Sequence, residues 1–214
     1  MSINLYQRDC LEAMKEMPDN SYELAIVDPP YGIGAGSKGF INRNTLNQNA
    51  EKFYRNNDWD KVRPTKEYFD ELRRVSKTQI IWGGNYFVDF LKPARCYIVW
   101  DKKTGKNSYA DCEIALTNID GNAKIFTKFW LGAHANNGTP RIHPTEKPVR
   151  LYEWLLDNYA KEGDKILDTH LGSGSIALAC HNRGYSLDAY EIDEEYFNTA
   201  ADRLRIHQSQ LTIF

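Results

Sequence analysis

Asp28-Pro29-Pro30-Tyr31 is the stretch of this sequence best suited to chemistry. Asp28 supplies an acceptor side chain. Pro29 adds a carbonyl acceptor, and the two pyrrolidine rings fix the local backbone. Tyr31 adds a flat aromatic face. Together these parts suit one task, the holding of a planar amine. An exocyclic amine on a nucleobase is a poor nucleophile, because its lone pair is delocalised into the ring. Two acceptors on its N–H bonds localise that pair, and a stacked aromatic ring fixes the base plane. A methyl electrophile on the lone-pair axis is then open to direct attack, with no covalent enzyme intermediate and no cysteine. Read alone, the same four residues make an ordinary proline turn behind an acid.

A second group lies in the last third of the chain. Asp168 closes the run KILD, Gly172-Ser173-Gly174 follows, and Glu191 lies 19 residues after Gly172. The glycines permit a tight turn that a cofactor can approach closely. The helix that opens there offers free N–H groups. An acid at the end of the next strand can accept both hydroxyls of a ribose. Asp168 can hold a positively charged group. Gly172-x-Gly174-x-x-Ala177 also fits the dinucleotide fingerprint, so this unit does not separate a nicotinamide from another adenosine cofactor.

The elements that must carry these groups alternate between strand and helix patterns, the signature of a mainly parallel α/β sheet. Strands are predicted at Ile3–Tyr6, Glu23–Asp28, Gln79–Trp82, Cys96–Trp100, Cys112–Thr117, Lys165–Asp168 and Leu187–Glu191. Asp9 reads as the N-cap of a helix to Glu16, with Glu12 three residues on. Further helices are expected from about Pro64 to Ser76, along Leu151, Trp154, Leu155 and Tyr159, and from the glycine turn to about Asn182. Gly184 ends the last of these. Tyr196, Phe197, Ala200, Ala201 and Leu204 mark a final amphipathic helix.

At 214 residues, with 42% hydrophobic and 26% charged, the chain is a globular protein of one domain, 1–214. Insertions are expected near 34–63 and 101–145. The apolar runs are too short to span a bilayer, and the first residues lack a signal peptide's pattern, which points to the cytoplasm. Cys10, Cys96, Cys112 and Cys180 show no C-x-x-C spacing, so buried thiols are expected rather than a metal site. A net charge of −2 argues against a protein that coats nucleic acid, but not against an enzyme with a local basic cleft.

With both groups in view, the chain resembles the amino-group DNA methyltransferases that use S-adenosylmethionine, in the β class, where the catalytic motif precedes the cofactor motif. Asp28, Pro29, Pro30 and Tyr31 match the catalytic motif. Asp9-Cys10 match the segment that lies near the cofactor's adenine. His143-Pro144-Thr145-Glu146-Lys147-Pro148 match the motif leading into the cofactor-binding helix. Asp168 with Gly172, Ser173 and Gly174 match the glycine motif, and Glu191 the ribose-binding acid, with Ile192 beside it. The resemblance implies that Asp9, Cys10, Asp28, Thr145, Lys147, Asp168, Gly172, Ser173, Gly174, Glu191 and Ile192 bind the cofactor. It implies a Rossmann-like, seven-stranded sheet with one antiparallel strand, and methyl transfer to a base flipped out of the duplex. It also admits a homodimer. The chain departs from the family at Thr169 and His170, where a proline and an aromatic are usual; a packed or solvated His170 is favoured over a pocket-lining one.

The resemblance favours the adenine N6 amine, because cytosine-N4 members more often carry Ser at the position of Asp28. Cytosine N4 is the alternative. An NAD-dependent oxidoreductase would leave Asp28–Tyr31 idle, and a vestigial DNA-binding module would not need intact acids. Gly34 to Lys66 holds seven Lys or Arg against three Asp or Glu, a basic stretch within an acidic chain. Arg and Lys suit phosphates and guanine edges, and Asn suits adenine edges. Contact with double-stranded DNA is therefore assigned to Lys38, Arg43, Asn44 and Arg55, to Lys102 and Lys103 in the 101–106 segment, and to Arg141. Neither metal nor membrane is required.

Overall fold

The computed structural model describes residues 1–34, 60–92, 95–105, 110–130 and 146–210. One mixed sheet of eight strands organises them: β1 Ile3–Gln7, β2 Tyr22–Val27, β3 Ser76–Trp82, β4 Tyr97–Asp101, β5 Cys112–Thr117, β6 Lys124–Thr127, β7 Lys165–Asp168 and β8 Ser186–Glu191. Their order across the sheet is β1-β8-β7-β2-β3-β5-β4-β6. Strand β5 runs antiparallel to both its neighbours, and every other pairing is parallel.

Strand β2 shows why the centre of the sheet forms. Leu24 and Ile26 bury on one face, and Ala25 and Val27 on the other. A strand covered on both faces reads as a continuous apolar run, as ELAIV does. On the first face pack α3 (Val149–Tyr159), α4 (Ser175–Arg183) and α5 (Glu194–Ser209), through Leu151, Leu155, Ile176, Ala200 and Leu204. On the second pack α1 (Cys10–Glu16) and α2 (Lys66–Val75), through Met14, Phe69 and Leu72. Each fully buried side chain of this kind contributes about 1.5–3 kcal/mol.

The caps follow the sequence. The Asp9 carboxylate accepts from the Glu12 N–H at 3.0 Å and starts α1. Asp193 does the same for α5. Gly184 ends α4 in the left-handed conformation. The eighth strand, β6, is a departure from the expected seven. KIFT is four residues long and mostly exposed at the sheet edge, so neither an apolar run nor an alternation marks it. No described helix is long and apolar enough to cross a membrane.

The chain leaves β2 toward β3 on one side and leaves β7 toward β8 on the other. The crevice beyond the carboxyl ends of β2 and β7 is thus a topological switch point, where open α/β sheets place ligands. Asp28 follows the last residue of β2, and Asp168 ends β7. Register pairs Asp168 with Ala189, which brings Glu191 at the end of β8 to the same edge. Sheet topology alone thus collects acids that lie far apart in the chain.

Candidate active site

At the β2 lip, Tyr31 donates its hydroxyl proton to Asp28 Oδ1 at 2.7 Å. Lys147 Nζ pairs with Asp28 Oδ2. The Lys147 side chain is only 2% exposed and has a second carboxylate, Glu113 Oε2, at 3.0 Å. Glu113 Oε1 in turn meets Lys102 Nζ at 2.5 Å. The indole of Trp82 lies under the Lys147 ammonium, 5.5 Å from it. Asp28, Lys147, Glu113 and Lys102 form one chain of alternating charge.

The electrostatics follow from burial and that chain. Burial pushes the Asp28 carboxyl up, Lys147 opposes this, and Glu113 adds to it. Burial acts to lower the Lys147 ammonium, but Asp28 and Glu113 outweigh it and hold the proton on more firmly. Burial also opposes ionisation of Glu113, yet Lys147 and Lys102 bring its carboxyl below the ordinary range.

Tyr31 is held as firmly as the acid. Its ring stacks on Tyr86 at 4.8 Å between centroids and 15° between planes, and Phe87 meets its edge at 6.1 Å. Gly83 has φ +64°. A Cβ there would come within 2.1 Å of the Tyr31 ring, so both the backbone and the ring contact require glycine. The Asp60 carboxylate accepts from the Gly32 N–H at 2.9 Å, directly after Tyr31.

At the β7–β8 lip, both oxygens of Glu191 are tied to backbone. Gly172 N–H donates to Oε2 at 2.9 Å and Asp193 N–H to Oε1 at 3.0 Å. The acid thereby fixes the glycine turn and the entry to α5 together. Gly172 and Gly174 both have positive φ, and a Cβ on Gly174 would press to 3.0 Å on Ala200 of α5. Among the described residues no side chain caps α4. Asp168 is 3% exposed, and His170 N–H donates to it at 3.0 Å. Burial, with the nearby charges of Asp28 and Glu191, pushes its carboxyl up to about 8. Such an acid suits a cationic ligand, whose arrival would restore its charge.

Ser173 is buried, and its carbonyl accepts from Arg203 at 2.8 Å. Arg203 also pairs with Glu146 at 3.1 Å. Ile192 stands 68% exposed just beyond Glu191, an apolar side chain beside the glycine turn. Burial pushes the Cys10 thiol up to about 12 at the start of α1. His170 is packed: its ring meets Tyr68 at 5.5 Å, its Nδ1 lies 2.9 Å from Thr169 Oγ1, and burial lowers it to about 4. Lys102, expected over DNA, has 17% of its side chain exposed and engages Glu113. Lys103 is 61% exposed and pairs with Asp101. Pro29 is buried and Pro30 half-buried. Thr145, Lys38, Arg43, Asn44, Arg55 and Arg141 lie outside the described residues. Among the described residues, no three His, Cys, Asp or Glu side chains gather to hold a metal.

Sequence reasoning misses Glu113 and Tyr86. Glu113 lies within a strand pattern, where its charge between apolar neighbours is the available signal. Tyr86 follows Gly83-Gly84, whose paired glycines signal a close approach.

An open α/β sheet with Asp28 at one lip of its switch crevice, and a glycine turn with Glu191 at the other, defines a Rossmann-like fold. Residues 77–202 match the model of the N6/N4 family described as DNA methylase, and the chain belongs to that family. It is 25% identical over 247 residues to the type II methyltransferase M.HpaI of Haemophilus parainfluenzae, covering 95% of this chain and 74% of that protein. TTHA0409 of Thermus thermophilus, solved as a complex with S-adenosyl-L-methionine, superposes with a TM-score of 0.61 at 15% identity, over 99% and 98% of the two chains. The cytosine-N4-specific PvuII DNA methyltransferase gives 0.63 at 12% identity, over 95% of this chain and 86% of that one. These two likenesses establish the fold.

Proposed function

We propose that this DNA methyltransferase moves a methyl group from S-adenosylmethionine to the N6 amine of adenine in double-stranded DNA, with the base flipped out of the duplex. The observation that carries the reading is Asp28, fixed by Tyr31 and Lys147 at the switch crevice that also holds Asp168 and Glu191. Aspartate rather than serine at this position favours adenine over cytosine N4.

The cofactor is S-adenosylmethionine, and the residues present suit it. Glu191 would hold the ribose hydroxyls, Asp168 would offset its positive charge, and the open backbone of Gly172–Gly174 would receive it. Asp9, Cys10, Ser173, Ile192 and Thr145 complete the proposed cofactor contacts. When bound, the cofactor supplies an electrophilic methyl on a cationic sulfur. Asp28 and the Pro29 carbonyl accept hydrogen bonds from the two amine N–H groups and turn the nitrogen lone pair outward. Tyr31 fixes the base plane. With the lone pair so aimed, the amine nitrogen would take the methyl group, and the cofactor would leave as the neutral thioether. The surplus amine proton passes to Asp28, whose raised affinity for protons suits the task. DNA contact is assigned on charge and residue type to Lys38, Arg43, Asn44, Arg55, Lys103 and Arg141, while Lys102 is taken up by Glu113.

Incubation with methyl-labelled S-adenosylmethionine and mixed-sequence duplex DNA, then nucleoside digestion and mass spectrometry, tests the reading. N6-methyladenine is expected. N4-methylcytosine would keep the mechanism and reverse the base. Unlabelled DNA would overturn both.

Cofactor binding is also expected to release a proton at neutral pH. With its carboxyl up at about 8, Asp168 is largely protonated in the free protein at pH 7, and a cationic ligand requires it ionised. Affinity should therefore rise as pH rises toward about 8 and then level. Calorimetry in buffers of different ionisation enthalpy reads the proton count. A pH-independent affinity with no proton released would refute this.

A further inference from the structure

Four charges in a row are a poor device for stability. Buried ion pairs give back in desolvation most of what they gain in attraction. The chain Asp28–Lys147–Glu113–Lys102 is mostly buried, with side-chain exposures of 16%, 2%, 23% and 17%. It begins on the acid that holds the amine. It also depends on the antiparallel strand: β5 pairs Glu113 with Trp100, which sets Glu113 between Lys147 and the end of β4.

We infer that Glu113 is a positioning residue for methyl transfer: by sharing Lys147 with Asp28, it leaves the Asp28 carboxylate free to accept the amine. The inference rests on the role proposed for Asp28. An ammonium has three donor protons and no acceptor. Held by Asp28 alone, Lys147 would move fully onto that carboxylate and draw off the electron density the amine needs. Held also by Glu113, it stays between the two acids. Lys102 steadies the far oxygen of Glu113 and limits the negative charge placed near Asp28.

The groups facing Asp28 come from several elements. Tyr31 lies on its own loop, Lys147 ahead of α3, Tyr152 in α3, Glu113 on β5, Asp168 on β7 and Tyr68 on α2. Of these, Glu113 raises the proton affinity of Asp28, and Lys147 lowers it. Neutralising Glu113 should therefore make Asp28 a stronger acid.

Glu113→Gln keeps the shape and removes the charge. Measured on mixed-sequence duplex DNA with labelled S-adenosylmethionine, it should lower kcat roughly 10-fold to 100-fold, the scale of a misplaced reacting group. KM for DNA and Kd for the cofactor should stay as in the wild type. The acid limb of the kcat–pH profile should move to lower pH. In a Lys147→Met background the same substitution should cost little in kcat, because the shared ammonium is gone and only the direct repulsion between Glu113 and Asp28 remains. An unchanged kcat and acid limb, or an undiminished loss in the Lys147→Met background, would overturn the inference. Should Glu113→Gln lose its melting transition, Lys102→Met reads the same chain. Removing that cation should move the acid limb upward, and an unmoved limb would overturn the inference. A wild-type protein that leaves DNA unmethylated overturns the DNA reading as well; an active wild type with an unaffected Glu113→Gln overturns this inference alone.

Discussion

Asp28→Ala is expected to reduce methyl transfer by at least about 10²–10³-fold, the cost of removing one preorganised polar group from a reacting centre. Cofactor affinity should stay close to the wild-type value. The two effects separate because separate hydrogen bonds hold the two lips of the crevice. Asp28 is held by Tyr31 and Lys147, whereas Glu191 is held by Gly172 and Asp193. The fold should tolerate the change, since Lys147 keeps Glu113 as a partner and is not left as a lone buried charge. Removing Asp28 also removes one of the charges that raise Asp168, so the cofactor lip should ionise more readily. Asp28→Asn, which keeps an acceptor oxygen without the charge, should fall between the two. Turnover near the wild-type rate in Asp28→Ala would refute the role given to this acid. The measurement is single-turnover transfer of labelled methyl, beside calorimetric titration of the cofactor.

Glu191→Ala should do the reverse, weakening cofactor binding about 10–100-fold. Hydrogen bonds to a charged group contribute about 1.5–3 kcal/mol, and that range converts to this loss of affinity. The carboxylate has a second duty that alanine cannot perform. It accepts the Gly172 and Asp193 N–H groups, so its loss frees the glycine turn and the start of α5 together. Glu191→Gln retains one acceptor oxygen and should lose less. At saturating cofactor, kcat for either variant should recover most of its value, because the β2 lip is intact. An unchanged Kd in Glu191→Ala would remove this acid from the binding site.

Much of this arrangement is legible from residue order. Asp28 and Asp168 each end a short apolar run, and such a run in an α/β pattern stops at the carboxyl edge where ligands bind. The glycine turn and Glu191 lie within one strand–helix–strand unit, so their mutual placement is a local matter. The rest depends on pairing between distant segments. CEIALT reads as a strand, but nothing within it says that it will run against its neighbours and carry Glu113 to Lys147. The same limit hides Tyr86. Its neighbour Gly83 signals a close approach but does not name Tyr31 as the ring approached. KIFT escapes for a different reason. At the exposed edge a strand needs little apolar surface, and the pattern that reveals strands is the pattern of burial.

The pairing of β1 with β8 sets an order of assembly. Ile3 lies beside Leu187, and Ser2 N–H donates to Ser186 Oγ, a separation of 184 residues. Long-range parallel pairing forms slowly, because a large loop must close before any contact rewards it. During synthesis β1 therefore emerges with its hydrogen-bonding edge unmatched, and it stays so until residues near 187 are available. The same holds for the crevice, since β2 meets β7 only after residues near 168 are available. A chain stopped short of β7 could carry Asp28-Pro29-Pro30-Tyr31 intact and still lack both the second lip of the site and the partner for its first strand.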